Sequence, residues 1–158
     1  WGGDWSLPGL PGGGRYDPVA DLWSTMSPGA TATGQRSHAA VWTGSRMITW
    51  GGLPGDGSSP GGVYDPEADS WTPIGLSGAP PPTRYPAYAW TGRELIVWGG
   101  LDAGAVVAAG ARYDPVSDTW QVIPAGPLAA RHSASTVWTG SEMIVLGEIA
   151  GARYIPPP

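Results

Sequence analysis

The 158-residue chain contains no cysteine, lysine, asparagine or phenylalanine. The lack of cysteine excludes disulfide bonds and thiolate metal sites. The 8 arginines form no cluster and are outnumbered by 13 acidic residues, which gives a formal net charge of −5. This balance argues against nucleic acid or an anionic membrane as a partner. No apolar run reaches the roughly 18 residues of a membrane-spanning helix, so membrane insertion is not expected.

Glycine, proline and tryptophan are abundant instead, with 26, 18 and 10 copies. An excess of Gly and Pro often indicates disorder. In this chain these residues recur with a fixed period, with Gly and Pro in predicted turns and Trp inside predicted strands. The composition is therefore that of a repeat protein.

One segment occurs three times, at residues 42–52, 90–100 and 138–148. Each copy begins with Trp-Thr-Gly, which predicts a tight hairpin turn in which Gly supplies a positive φ. A short apolar run follows, and a glycine pair ends it in the first two copies. Because the run does not alternate with polar residues, we expect protein on both faces of this strand.

A second segment recurs in step with the first and reads Tyr-Asp-Pro-x-x-Asp-x-Trp. Its copies begin at Tyr16, Tyr64 and Tyr113. The Asp-Pro step favours a type I turn, in which the Asp carboxylate accepts a backbone N–H. Two predicted hairpins in each period make four strands, which is typical of one blade of a β-propeller.

The glycine pair, followed after a variable loop by Tyr and seven residues later by Trp, resembles the kelch repeat. The wording Trp-Thr-Gly-x-x-Met-Ile-x-Trp-Gly-Gly is similar to that of bacterial kelch proteins. The resemblance implies an all-β fold, namely a kelch-type β-propeller segment of about three four-stranded antiparallel blades, part of a six- or seven-bladed ring. Residues 1–158 form a single predicted segment, with repeats at about 1–50, 51–98 and 99–147 and a degraded strand at 148–158.

The strands of a blade are named A to D from the inside outwards. The expected ranges are C 13–17, D 21–26, A 36–42 and B 46–51, then C 62–65, D 69–74, A 84–90 and B 94–99, then C 110–114, D 118–123, A 131–138 and B 142–147. The tail at 152–156 resembles a fourth strand C. Three blades do not close a ring of the usual roughly 4–8 blades. We expect the missing blades either from a longer polypeptide or from a second copy, whose first C–D pair would complete a blade with the last A–B pair in a homodimer.

The repeated tryptophans are expected in the core between blades, because each buried indole hides roughly 150–250 Å² of surface. These residues are Trp1, Trp50 and Trp98, then Trp23, Trp71 and Trp120, then Trp42, Trp90 and Trp138. Trp5 has no counterpart in the other repeats and lies in a loop rich in Gly and Pro. It is a candidate for contact with a ligand or another chain.

Arg36, Arg84 and Arg131 stand at the start of the predicted A strands. Two interpretations stay open. Their guanidinium groups hold the turns between blades, or they form a ring that presents donors to an acidic or polar partner. Tyr85 and Tyr88 depart from the pattern of the first repeat, which indicates either a local binding role or a change in packing.

No catalytic residues, metal ligands or cofactor are predicted. His38 and His132, the two histidines, occupy different repeat positions, so the copper site of the galactose-oxidase relatives has no counterpart. No paired carboxylates, Ser-His-Asp set or phosphate-binding motif is recognisable. We do not expect the segment to be an enzyme, although this is uncertain if it is part of a larger chain.

The favoured function is a non-catalytic scaffold that binds a protein or glycan partner. Binding is expected at the loops between strands B and C, at 4–12, 53–61 and 101–109, and at the three arginines. Two alternatives stay open, because fold does not determine function. The segment supplies blades to a larger secreted carbohydrate-active enzyme whose catalytic residues lie elsewhere, or it is a self-assembling structural module. The sequence does not determine the cellular compartment, and a secreted or cell-envelope location in a bacterium is favoured.

Overall fold

The computed structural model describes residues 13–28, 35–52, 60–147 and 151–157. These residues contain strands and turns and no helix, so the expected all-β fold is confirmed for them. No helical segment that could cross a membrane is found among them. The strands are β1 Gly14–Asp17, β2 Leu22–Thr25, β3 Ala39–Trp42, β4 Met47–Trp50, β5 Gly61–Asp65, β6 Ser70–Pro73, β7 Ala87–Trp90, β8 Leu95–Trp98, β9 Leu101–Asp102, β10 Ala105–Val106, β11 Gly110–Asp114, β12 Thr119–Val122, β13 Ser135–Trp138, β14 Met143–Leu146 and β15 Gly151–Tyr154.

The strands form antiparallel sheets that follow one another along the chain. The hairpin β1–β2 comes first. Sheet I has the order β3-β4-β5-β6, sheet II has the order β7-β8-β11-β12, and sheet III contains β13, β14 and β15. The short hairpin β9–β10 interrupts the connection between β8 and β11. Two sheets therefore have the four strands expected for a repeat, and the described residues do not form a closed ring.

Both predicted turn types are present, and each is made by local contacts. In the Trp-Thr-Gly turns, Gly44, Gly92 and Gly140 have φ values of 105°, 95° and 103°. In the Tyr-Asp-Pro turns, the first Asp caps the chain that follows. Asp65 Oδ1, for example, accepts the backbone N–H of Glu67 at 2.9 Å. These interactions span only a few residues, so the sequence pattern is sufficient to produce them.

The A strands are shorter than predicted. They begin at Ala39, Ala87 and Ser135 rather than at 36, 84 and 131. The cause is a residue with positive φ two positions before each strand, which interrupts the extended backbone. The residues are Ser37, Tyr85 and Ser133, with φ of 60°, 53° and 54°.

The tail of the chain is a strand in the place of a C strand. In β15, Tyr154 lies opposite Met143, just as Tyr113 lies opposite Leu95 in sheet II. The predicted strand in this segment is therefore present, with bounds Gly151–Tyr154 instead of 152–156. In this arrangement β15 occupies the position next to β14 that strand C of a second copy would need in the homodimer.

The sheets pack face to face around two hydrophobic clusters. Between sheets I and II the buried residues include Trp50, Leu95, Tyr113 and Trp120. Between sheets II and III they include Ile96, Trp98, Ile123, Met143 and Val145. Strand β7 lies between β3 and β13 and contacts both.

The prediction that every repeated Trp is buried is wrong for two described residues. Trp50, Trp98 and Trp120 are buried, whereas Trp23 is 72% and Trp42 is 54% exposed. Trp120 packs against the preceding sheet. Trp23 holds the same repeat position as Trp120, and Trp42 holds the same repeat position as Trp90. Among the described residues only the hairpin β1–β2 precedes sheet I. Trp23 and Trp42 are exposed because no complete sheet covers them.

Candidate functional site

The three sheets are linked by backbone hydrogen bonds just before strand A. The N–H of Tyr85 donates to the carbonyl of Ser37 at 2.8 Å, and the N–H of Ser133 donates to the carbonyl of Tyr85 at 3.0 Å. A positive φ costs an L-residue roughly 1–2 kcal/mol. Because all three repeats adopt it, the conformation belongs to the stacking of the sheets. The entry face is defined here as residues 35–37, 83–85 and 131–133 together with the hairpin β9–β10.

The glycine pairs allow the sheets to approach closely at this face. The N–H of Gly52 donates to the carbonyl of Thr83 at 2.9 Å, and the N–H of Gly100 donates to the carbonyl of Arg131 at 2.8 Å. A Cβ atom on Gly100 would lie 2.7 Å from the carbonyl oxygen of Arg84. Glycine is therefore required sterically as well as for its φ of 102°.

Arg131 does not share a repeat position with the other two arginines. Because Gly52 pairs with Thr83 and Gly100 pairs with Arg131, Arg131 corresponds to Thr83. The position of Arg36 and Arg84 is taken by His132. The three arginines therefore do not occupy one repeat position, and the binding role of each arginine stays a prediction. His132 was missed, although it lies six residues before the Trp of its strand, as Arg36 and Arg84 do.

Arg84 lies beside the predicted binding loop at 101–109. Arg84 and Leu101 form a β-bridge, with N···O distances of 2.9 and 2.8 Å. Leu101 begins the hairpin β9–β10, whose residue Val106 is 42% exposed. The four ion pairs found among the described residues do not include Arg84. The loop predicted at 4–12 and most of the loop at 53–61 lie outside the described residues.

The remaining predicted binding residues have different surroundings. Tyr85 lies on the entry face, with its ring 6.3 Å from the ring of His132. Tyr88 lies in β7 and packs against the hydrophobic cluster between sheets I and II. Trp5 lies outside the described residues. The structure therefore places Tyr85 on the entry face and Tyr88 against the hydrophobic cluster between sheets I and II.

His38 is held in its neutral form. Burial is the main cause that lowers the pKa of His38 from 6.5 to about 4. His132 is exposed and its Nδ1 lies 3.0 Å from the hydroxyl of Ser133. Within the parts of the chain that the structure describes, no three His, Cys, Asp or Glu side chains come together as a metal site would require.

The opposite end of the stack, at the Trp-Thr-Gly turns, has open clefts between the sheets. The cleft between sheets I and II has a volume of about 860 Å³ and is lined by residues that include Trp42, Trp90 and Asp118. A similar cleft of about 440 Å³ lies between sheets II and III. Because the cleft recurs between both pairs of sheets, the stacking of the repeats explains it. Its exposed ion pairs, such as Arg46 with Asp65 at 3.3 Å, contribute little stability.

Comparison of the chain with protein-family models gave no match, and comparison with curated proteins gave no significant match. The likeness to kelch proteins therefore depends on the repeated residues themselves. The strand order of sheets I and II is compatible with it.

Proposed function

We propose that the chain is a segment of a kelch-type β-propeller and acts as a non-catalytic binding scaffold, with sheets I, II and III as successive blades. Three features support this. The strands follow the A-to-D order, corresponding strands pair in the same register, and equivalent backbone hydrogen bonds connect successive sheets. A scaffold of this kind presents variable loops on a constant frame.

The proposed partner is a protein that binds the entry face. One observation carries this proposal, namely the bridge between Arg84 and Leu101. It sets a guanidinium-bearing residue beside a hairpin whose Ala105 and Val106 are exposed, together with the acidic Asp102. Protein interfaces commonly combine an apolar centre with arginine donors. A partner segment with a carboxylate near an apolar side chain would match both Arg84 and the exposed Val106, whereas a glycan would leave Ala105 and Val106 without a matching apolar surface.

Site-specific photo-crosslinking tests the proposal. A photoreactive amino acid replaces Val106 on the entry face or Ser45 in a turn at the opposite end, and each protein is irradiated in an extract of its source organism. We expect a discrete protein adduct from position 106 that is absent from position 45. Arg84→Glu should remove the adduct, because it reverses the charge offered to the partner, while Arg93→Glu at the opposite end should not. Equal labelling from both positions, or labelling that survives Arg84→Glu, would refute the proposed binding face.

A further inference from the structure

The cleft between sheets II and III, at the end opposite the entry face, has a different lining from the cleft between sheets I and II. The stacking of the repeats explains why both clefts exist, but it does not determine their side chains. Three equivalent positions differ in the wall that the earlier sheet contributes. They are Arg46, Val63 and Thr72 in the cleft between sheets I and II, and Glu94, Arg112 and Gln121 in the cleft between sheets II and III. Sheet II therefore places a second charge and an amide where sheet I has valine and threonine.

The three polar side chains of sheet II hold one another in place. The guanidinium of Arg112 pairs with the carboxylate of Glu94 at 3.4 Å and donates to the carboxamide oxygen of Gln121. The side chains of Arg112 and Glu94 are only 14% and 13% exposed. Because the oxygen of Gln121 is engaged by Arg112, its NH2 group is the end that can donate to a ligand. The cluster is therefore preorganised, and a ligand would not have to order these side chains.

Sheet III contributes an aromatic surface on the other side of the cleft. Trp138, at the end of β13, lines the cleft and packs against the hydrophobic cluster between sheets II and III. Pro156 and Pro157 border the cleft at the repeat positions of Pro115 and Val116, which border the cleft between sheets I and II. That cleft is open although each of its two sheets has four strands. The opening therefore belongs to the stacking and does not require that a strand be lacking.

The charges that line the cleft balance one another. Four charged side chains line it, and they form two ion pairs, Arg93 with Asp114 and Arg112 with Glu94, each at 3.4 Å. A charged ligand would therefore meet as many like charges as opposite ones. A wholly apolar ligand would leave these polar groups without partners, which is costly. The volume of about 440 Å³ lies within the range of roughly 300–1,000 Å³ that small-molecule sites span. The lining therefore suits a neutral ligand that has many hydrogen-bonding groups and one apolar face.

We propose that this cleft binds a neutral saccharide, as a second site distinct from the proposed protein-binding entry face. A pyranose ring has a face of C–H groups and a rim of hydroxyls, each of which can donate and accept a hydrogen bond. The C–H face packs on the indole of Trp138, whose π-electrons attract the partial positive charge of C–H groups. The hydroxyls donate to the carboxylate of Glu94 and accept from the amide of Gln121, and the bond to the ionised group is the stronger one. Arg112 positions both groups.

A microarray of oligosaccharides tests the proposal on the whole chain. It carries neutral oligosaccharides beside their sialylated and sulfated forms, and bound protein is detected by a fluorescent label. We expect at least one neutral oligosaccharide to bind, with a weaker signal from its acidic forms, because the charges of the cleft already balance. Failure of every oligosaccharide to bind, or a preference for the acidic forms, would overturn the proposal.

Two variants locate the saccharide, with isothermal titration calorimetry of the oligosaccharide that binds best. Ser141 and Ser45 are exposed residues at the same position of their Thr-Gly turns, and each lines one of the two clefts. Ser141→Trp should weaken binding at least about 10-fold, because the indole obstructs the cleft between sheets II and III. Ser45→Trp should leave the affinity unchanged. Circular dichroism checks that both variants are folded. Binding that survives Ser141→Trp, or that is lost in both variants, would contradict this location.

Two further variants test the contacts with the sugar. Gln121→Thr introduces the residue that sheet I has at this position and removes the amide donor, so it should weaken binding about 3- to 10-fold, as for the loss of one hydrogen bond. Trp138→Leu keeps an apolar side chain but removes the flat surface, and should weaken binding at least about 10-fold. Trp90→Leu changes the same repeat position in sheet II and is the control. Unchanged affinity in the first two variants, or an equal loss in Trp90→Leu, would assign the saccharide to another part of the chain.

Discussion

Trp120 and Trp23 occupy the same position in different repeats, and replacing each by alanine measures what the neighbouring sheet contributes. Both pack against a tyrosine of their own hairpin, at ring distances of 5.0 and 5.2 Å. Trp120 also packs against Trp50 and is 6% exposed, whereas Trp23 is 72% exposed. The local environment is thus matched, and the difference comes from the sheet that covers Trp120.

The expected magnitudes differ clearly. Truncation of a buried Trp to Ala costs about 3–5 kcal/mol, and we expect Trp120→Ala to lower the free energy of unfolding by this amount. Trp23 hides about a quarter of a side chain that buries roughly 150–250 Å² when fully enclosed, which at ~25 cal/mol per Å² corresponds to about 1–2 kcal/mol. Since small domains are stable by about 5–15 kcal/mol, both variants should remain folded at neutral pH.

Urea denaturation followed by far-ultraviolet circular dichroism provides the assay, with Trp120→Phe as a milder third variant. Phenylalanine keeps an aromatic ring but leaves the carbonyl of Gly75 without its indole donor, which costs about 1–3 kcal/mol where water cannot replace it. If Trp23→Ala and Trp120→Ala destabilise the protein equally, the sheets do not stack in solution as described. A large effect of Trp23→Ala alone would show that another part of the chain covers the first hairpin.

Three further predictions concern the glycine pair and two titratable residues. In urea denaturation, Gly100→Ala should lower the free energy of unfolding by at least about 2 kcal/mol more than Gly92→Ala. Both glycines have a positive φ, but only at Gly100 would a Cβ atom lie against a backbone carbonyl. Equal losses would contradict this. Hydrogen bonds, led by one from Tyr64, lower the pKa of Asp69 from 3.8 to about 2, so its contribution to stability is present above pH 4 and is lost as the pH falls through 2. Asp69→Asn should therefore flatten the acid limb of stability more than Asp21→Asn does, since Asp21 has no described bond to another sheet. Since burial lowers the pKa of His38 to about 4, its imidazole resonances in NMR should titrate near pH 4. The associated loss of stability should begin below pH 6.5 as the pH falls. An NMR midpoint near pH 6.5 would show that His38 is exposed in solution.

Much of the strand pattern follows from local sequence. The Thr-Gly turns, the Asp caps and the pairs between Tyr113 and Asp118 or Tyr64 and Asp69 join residues that lie within five positions of each other. Such contacts form wherever the same residues recur, because their geometry depends only on the segment itself. The strand order, the turn types and the strand near residue 152 were therefore predictable, and sheets I and II each have the expected four strands.

The candidate site depended on contacts between sheets, which sequence spacing does not determine. Arg131 resembles Arg84 in the sequence, yet the hydrogen bond from Gly100 places it one position earlier and brings His132 into register. The burial of each repeated Trp likewise depends on contacts between sheets. Trp23 and Trp120 end the same Tyr-Asp-Pro-x-x-Asp-x-Trp motif, but among the described residues only Trp120 has a sheet packed against it. The hydrophobic effect acts on the surface that is removed from water, so the fate of each Trp was decided by tertiary stacking and not by the repeat.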